Sequence, residues 1–240
     1  MTKYFLTFLL FLTFGCKKDH RLDCLTSFGK IVSQQRLVPP FHTLIVDQTM
    51  NVTILPDTLF RIDVITGQNI ITGIATTVDQ GTLAIADHNK CNWVRSSQNQ
   101  TIVVVHCKNV NTIIHNGVGT ITLLGSITPH TLTINNWSSG NIALHTQCDS
   151  LKIIQHVGVG DVSATGSAPY LQVYNAGNGR SQFQSFNATT VEVDQRSTND
   201  VTIAAPTKLI CSIISLGNVY YTGSPIIDLK KNGAGNLIRY

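Results

Sequence analysis

Seven copies of one short pattern fill the second half of the chain: NTIIHNGVGTITLLG, LTINNWSSGNIALHT, LKIIQHVGVGDVSATG, LQVYNAGNGRSQFQS, VEVDQRSTNDVTIAA, LICSIISLGNVYYTG and a shorter IDLKKNGAGNLIRY. Each copy is a strand of the form Leu-x-Ile, a bend rich in glycine or asparagine, and a second strand of the form Ile-x-Leu. Aligned on the bend, Gly119, Gly140, Gly160, Gly179, Asn199, Gly217 and Gly235 form one column, at intervals of 21, 20, 19, 20, 18 and 18 residues. A period near twenty with two short strands and no helical spacing fits a coil that rises by one strand spacing per turn, about 4.8 Å. The expected fold is therefore all-β. It is a right-handed parallel β-helix, or β-solenoid, over 109–240, continuous with a β-strand region over 39–108 and forming one domain with it.

The same alignment assigns roles to columns. Ile113, Ile134, Ile153, Val173, Val193 and Cys211 are apolar and are expected to point inward. His115, Asn136, Gln155, Asn175 and Gln195, two residues further on, are expected to stack as a hydrogen-bond ladder. The bend glycines are expected to supply positive φ at the corners. The stretch HVGVGDVSATG, residues 156–166, is thus a corner and not a phosphate loop, since neither helical spacing nor a Gly-Lys-Ser/Thr ending follows it. Only 12% of residues are charged. Stacked coils account for that, because a side chain lies above its counterpart in the next coil and like charges so placed repel.

The N-terminus sets the expected compartment. Lys3 precedes an apolar run from Phe5 to Phe14 that ends in Gly15-Cys16, and Lys17, Lys18 and Asp19 follow. The run is half the length of a membrane span and has the form of a secretory signal. LTFGC resembles a lipobox, so residues 1–16 are expected to be a lipoprotein signal peptide with Cys16 acylated, and 17–38 a polar tether. Five further cysteines remain: Cys24, Cys91, Cys107, Cys148 and Cys211. Export permits a disulfide, and Cys24 with Cys91 is the pair that sits in loop-like surroundings; the other reading is that all five are small buried apolar residues.

Several stretches, in order, resemble the bacterial family of auto-transporter adhesins with a head GIN domain: LVPPFHTLIVDQTMNVTILP (37–56), DQGTLAIAD (79–87), CNWVR (91–95) and GNVYYTGSP (217–225). The resemblance runs over roughly 24–240. It implies a β-solenoid envelope protein, often a lipoprotein, of unknown function and with no catalytic residues to carry over.

The residues themselves offer little chemistry. Asp161, Arg180 and Asp200 follow the bend on three consecutive coils, which puts the carboxylates about 9–10 Å apart, near the upper end for an inverting glycosidase. An arginine between them would hold both ionised, which disfavours a general acid and favours stacked ion pairs. Glu192 is the only glutamate, the eight histidines are dispersed, and no zinc or calcium ligand spacing occurs, so neither metal nor cofactor is expected. His115 and His156 could approach one ion only if their bends came into register. No basic cluster supports nucleic-acid binding despite the net charge of +4. Trp93 and Trp137 are the aromatic candidates for a sugar, and Asp161, Arg180 and Asp200 the polar ones. Two functions follow. The first is a non-enzymatic lipoprotein of the outer membrane, on its periplasmic side, presenting a binding surface for glycan or envelope protein or for its own copies. The second is a pectinase-like enzyme acting through Asp161 and Asp200.

Overall fold

The computed structural model describes residues 26–92, 100–125 and 127–240. Strands are numbered in chain order. β1 (Ile31–Leu37) precedes a first two-strand coil, β2 (Thr43–Val46) and β3 (Met50–Pro56). The chain leaves this coil through β4 (Arg61–Gly67), one 3-10 turn at Ile71–Gly73 and β5 (Ile74–Asp79), then returns as β6 (Thr82–Asp87) and β7 (Thr101–Cys107). Thereafter coils follow in sequence. They are built from β8 (Thr112–His115), β9 (Ile121–Leu123), β10 (Thr131–Asn136), β11 (Ile142–Gln147), β12 (Ser150–Gln155) and the long β13 (Val162–Asn175), which turns the corner between two coils. β14 (Ser181–Phe183), β15 (Phe186–Gln195), β16 (Val201–Ala204), β17 (Lys208–Ile213), β18 (Val219–Thr222), β19 (Ile226–Lys231) and β20 (Leu237–Arg239) complete them.

Every neighbouring pair from β8 onward is parallel and in register with the coil before it. The result is a β-solenoid of about six turns in the C-terminal part. The N-terminal strands belong to the same stack, but in a different order. β2 pairs in parallel with β6 on one side and β8 on the other, and β3 likewise with β7 and β9. β6 and β7 therefore lie beneath β2 and β3, while β8 and β9 lie above them. Antiparallel arms extend from the lowest coil: β5 pairs with β6, β4 with β7, and β1 with β4. Ile31–Leu37, expected within a tether, is thus an edge strand.

Burial alternates along almost every strand, as a coil with one inner face requires. The inward column Leu83, Leu44, Ile113, Ile134, Ile153, Val173, Val193, Cys211 is continuous in register and buried throughout. Each such aliphatic side chain contributes about 1.5–3 kcal/mol by leaving water.

Gly158 takes the positive φ expected of a corner, at +87°, but the aligned bend column holds a different role. Gly119, Gly140, Gly160, Gly179, Gly217 and Gly235 all lie outside the positive-φ region. What they need is space: a Cβ on Gly140 would collide with the Gly119 carbonyl, one on Gly160 with the Gly140 carbonyl, and one on Gly179 with the Gly160 carbonyl. The bends of successive coils touch backbone to backbone. Asn199, which carries a Cβ in this column, donates its side-chain amide to the Asn178 carbonyl.

The column His115, Asn136, Gln155, Asn175, Gln195 is buried, 0–1% exposed. It forms one direct rung, Asn175 Nδ2 to Gln195 Oε1 at 2.9 Å. Otherwise its amides reach across the corner to a bend carbonyl of their own coil: Gln155 to Gly160 at 2.9 Å and Gln195 to Asn199 at 2.6 Å. Gln155 and Gln195 thus tie their bends to the strand before, satisfying carbonyls that the turn turns inward.

Candidate functional site

Two corners of the coil carry the side chains that chemistry could use. At the first, the residue after each bend forms a ladder from side chain to backbone. Asn141 Oδ1 accepts from the Asp161 N–H at 2.9 Å, Asp161 Oδ1 from Arg180 N–H at 2.8 Å, Asp200 Oδ1 from Asn218 N–H at 2.8 Å, and Asn218 Oδ1 from Asn236 N–H at 2.9 Å. Asn51 does the same for Thr120 one stage lower, at 3.0 Å. The expected ion pairs are not what holds this column, since among the described residues no salt bridge joins Arg180 to Asp161 or Asp200. The carboxylates act as asparagines do, each accepting an N–H that the bend would otherwise leave to water. Asp161→Asn and Asp200→Asn should therefore shift unfolding free energy by less than about 0.5 kcal/mol, whereas alanine at either position should cost about 1–2 kcal/mol. Urea denaturation distinguishes the two. A small recess of about 330 Å³ beside this ladder is lined by Arg180, Asn199, Asp200 and Tyr220.

Alongside runs an outward stripe. Trp137, His156, Ala176 and Arg196 each stand three residues after an inward residue, at the end of a first-face strand, and adjacent coils bring them side by side. The Trp137 and His156 rings stack with centroids 3.4 Å apart and planes 6° from parallel. Small Ala176 leaves space on the next coil, and Tyr174 contacts His156 at 6.3 Å. The Arg196 guanidinium lies 5.4 Å from the Tyr174 centroid and is held by Asp194 at 3.0 Å. His156 Nε2 is 3.3 Å from Asn135 Oδ1, and burial moves its pKa below the ordinary histidine value. Trp137 remains 49% exposed, with one face given to His156. His115, by contrast, points into the core and His156 out of it, so the two do not converge. Among the described residues no three His, Cys, Asp or Glu side chains gather as metal ligands.

The opposite corner carries a shallow groove of about 580 Å³ along the stack, edged by Pro129, Pro169 and Pro206 and floored by Ala168 and Ala188. His130 Nδ1 lies 2.7 Å from Asp149 Oδ2 at its lip, and both are exposed. Cys148 lines this groove, and burial pushes its thiol pKa up, which works against a nucleophilic role.

Other candidates resolve as follows. Cys91 is disulfide-bonded, while Cys107, Cys148 and Cys211 are free. Cys16, Cys24 and Trp93 lie outside the described residues, so lipid attachment at Cys16, the pairing of Cys24 with Cys91, and a ligand contact at Trp93 remain expectations. A charge cluster not foreseen from the sequence joins β4 and β7: His106 Nδ1 is 3.3 Å from Asp57 and its Nε2 3.1 Å from Asp63, with Arg61 3.5 Å from Asp57. The Asp57 carboxyl is held below its usual pKa, first by the Leu59 N–H it accepts. These contacts bridge two segments distant in sequence, 57–63 and β7, and pin the lower arm of the stack. No helix among the described residues is long and apolar enough to cross a membrane.

Comparison with known proteins places these features in a group. The family described as "Putative auto-transporter adhesin, head GIN domain" matches residues 40–225. No curated protein matches the chain significantly. A crystal structure of a putative adhesin from Bacteroides fragilis is similar over 88% of this chain and 97% of its own, with a TM-score of 0.79 and 22% identity. One from Parabacteroides distasonis described as a putative lipid binding protein covers 88% and 97%, with a TM-score of 0.68 and 17% identity. A second from that organism, described as a putative adhesin, covers 88% and 98% at a TM-score of 0.67 and 17% identity. At these identities the likeness is one of fold.

Proposed function

Because the chain belongs to the family of auto-transporter adhesins with a head GIN domain, we propose that it is a non-enzymatic, adhesin-like protein of the cell envelope whose solenoid flank binds a glycan. The signal-like start, the lipobox-like LTFGC and the basic residues behind Cys16 support an outer-membrane lipoprotein, acylated at Cys16 and facing the periplasm. The observation that carries the binding reading is the stripe Trp137–His156–Tyr174–Arg196. Three aromatic rings on consecutive coils stand beside the polar Asn135, which meets His156, and Asp194, which holds Arg196 over Tyr174. Apolar ring faces next to fixed polar groups suit a sugar, which is itself apolar on its ring faces and polar at its edges. The stack supplies rigidity, so little ordering entropy is lost on binding. The competing enzymatic reading is disfavoured by the occupation of Asp161 and Asp200 with backbone N–H groups.

A glycan array followed by calorimetry on its hits tests this. Trp137→Ala should weaken binding at least ten-fold without altering the thermal midpoint, and bound glycan should change Trp137 fluorescence. Release of reducing ends from a polysaccharide, lost in Asp161→Asn or Asp200→Asn, would instead establish the enzyme.

A further inference from the structure

The two ends of the stack are finished differently. Below β6 and β7 the sheet continues into the antiparallel arms β5, β4 and β1, and the outermost strand has Ser33, Gln34, Gln35 and Arg36 at its centre. Arg36 crosses from β1 to donate to the Ile74 carbonyl at 2.6 Å and the Ile71 carbonyl at 3.2 Å, which fastens the arms together. At the other end, β19 and β20 pair only with β17 and β18, and no described strand lies beyond them. Ile227 and Leu229 stand in register above the fully buried Leu209 and Cys211, yet are 41% and 43% exposed; Ile226 is 78% exposed. An apolar interior is cut open there, together with the free backbone edge of two strands. Such an edge recruits another strand unless it is blunted.

We propose that this end docks against the same end of a second copy, about a two-fold axis through Leu229, so that β19 pairs antiparallel with its counterpart. The choice of partner and register comes from charge. Centred on Leu229, the pairing sets Leu229 against the partner's Leu229, and Asp228 against the partner's Lys230 twice over. A centre one residue earlier puts Asp228 against Asp228, and one residue later Lys230 against Lys230. Both place like charges directly opposite, which destabilises a strand pair. Asp228 and Lys230 occupy the outer face, where among the described residues neither has an ion-pair partner within its own chain. Lys231 points inward, opposite the partner's Ile227. Its Nζ donates to Asn236 Oδ1 at 2.7 Å, which keeps the ammonium at the bend and leaves the methylenes over the isoleucine. The arrangement is self-complementary and closed, so it stops at two copies, and the polar, stitched β1 end offers no matching surface for a longer stack. It is independent of which ligand the flank binds.

Sedimentation velocity on the full chain carrying Cys16→Ser, which removes association through an acyl group, tests the proposal. The expected result is a dimer at tens of micromolar. Asp228→Lys and Lys230→Asp should each weaken it at least ten-fold, because the axis doubles every clash. The double exchange D228K/K230D should restore dimerisation to near the original affinity, since it reinstates both pairs with the signs reversed. That rescue also shows that the single variants had not merely misfolded. A chain that stays monomeric over this range would overturn the proposal, as would single exchanges without effect, a double exchange that fails to rescue, or filaments in place of dimers. Recruitment of a monomeric chain to phosphatidylglycerol vesicles through Lys230 and Lys231 would overturn it too, by assigning the open end to a lipid surface.

Discussion

Replacing Gly160 by alanine should cost more than about 4 kcal/mol and leave little folded protein, while the same substitution at Gly177 should change stability by less than about 1 kcal/mol. A methyl group at Gly160 falls on the carbonyl oxygen and carbon of Gly140, which are backbone atoms of the coil below. No side chain can swing aside to relieve that contact. The coils would have to separate at the corner, and the parallel hydrogen bonds on both faces fix their spacing, so overpacking here is resisted more stiffly than in an ordinary core. At Gly177 the nearest atoms are the carbonyl oxygens of Val157 at 3.2 Å and Gly158 at 3.4 Å, which need to give by only a few tenths of an ångström. Alanine also restricts the unfolded chain, worth about 0.4–1 kcal/mol in favour of folding. Neither residue has positive φ, so backbone freedom alone would make the two variants behave alike. Urea midpoints for the pair therefore separate close approach from conformational freedom as the reason for glycine at the bends.

That distinction marks how far the sequence could be read. The stack itself was legible, because period, alternation and the inward column from Ile113 to Cys211 are one-dimensional signals that each coil repeats. The inverted order of the lowest coils was not. β6 and β7 look like any other strand pair, and nothing in their composition says that they slide beneath β2 and β3. β1 was hidden for a physical reason: an edge strand exposed on most positions has no burial to alternate, so Ser33-Gln34-Gln35-Arg36 reads as tether. Trp137 reads from the sequence as an exposed aromatic, and its stacking on His156 follows from a shared position, three residues beyond an inward isoleucine in each coil. Asp161 and Asp200 were placed on the correct corner, but their partners are backbone N–H groups, which every sequence possesses and none displays. The cluster of Asp57, Asp63 and His106 joins segments more than forty residues apart, and only the fold brings it together.

Acid should weaken the protein through one buried histidine, and His115→Val should remove that weakness. His115 is fully buried, neither ring nitrogen has a hydrogen-bond partner, and desolvation lowers its pKa to about 4. An unfolded chain would titrate this imidazole near 6.5. Above pH 6.5 both states are neutral there and the group adds no pH dependence. Between 6.5 and 4 the unfolded state takes up a proton that the folded state refuses, so stability falls as pH falls. Below about 4 both are protonated and the slope ends. The difference of about 2.5 units corresponds to about 3 kcal/mol across that window. Val46 below and Asn136 above, its neighbours in the column, do not titrate, so no adjacent charge offsets the loss. Valine already occupies the position one coil lower at Val46, and an apolar side chain leaves no ring nitrogens unsatisfied, so His115→Val should be at least as stable as the parent at pH 7. At pH 4.5 it should exceed the parent by about 2–3 kcal/mol, read from urea unfolding of both proteins at the two pH values. Parallel pH profiles for the two would mean that the imidazole finds a proton acceptor or a water inside the stack. Asn136, Gln155, Asn175 and Gln195 settle the same column with uncharged amides, so within this column the pH dependence comes from His115.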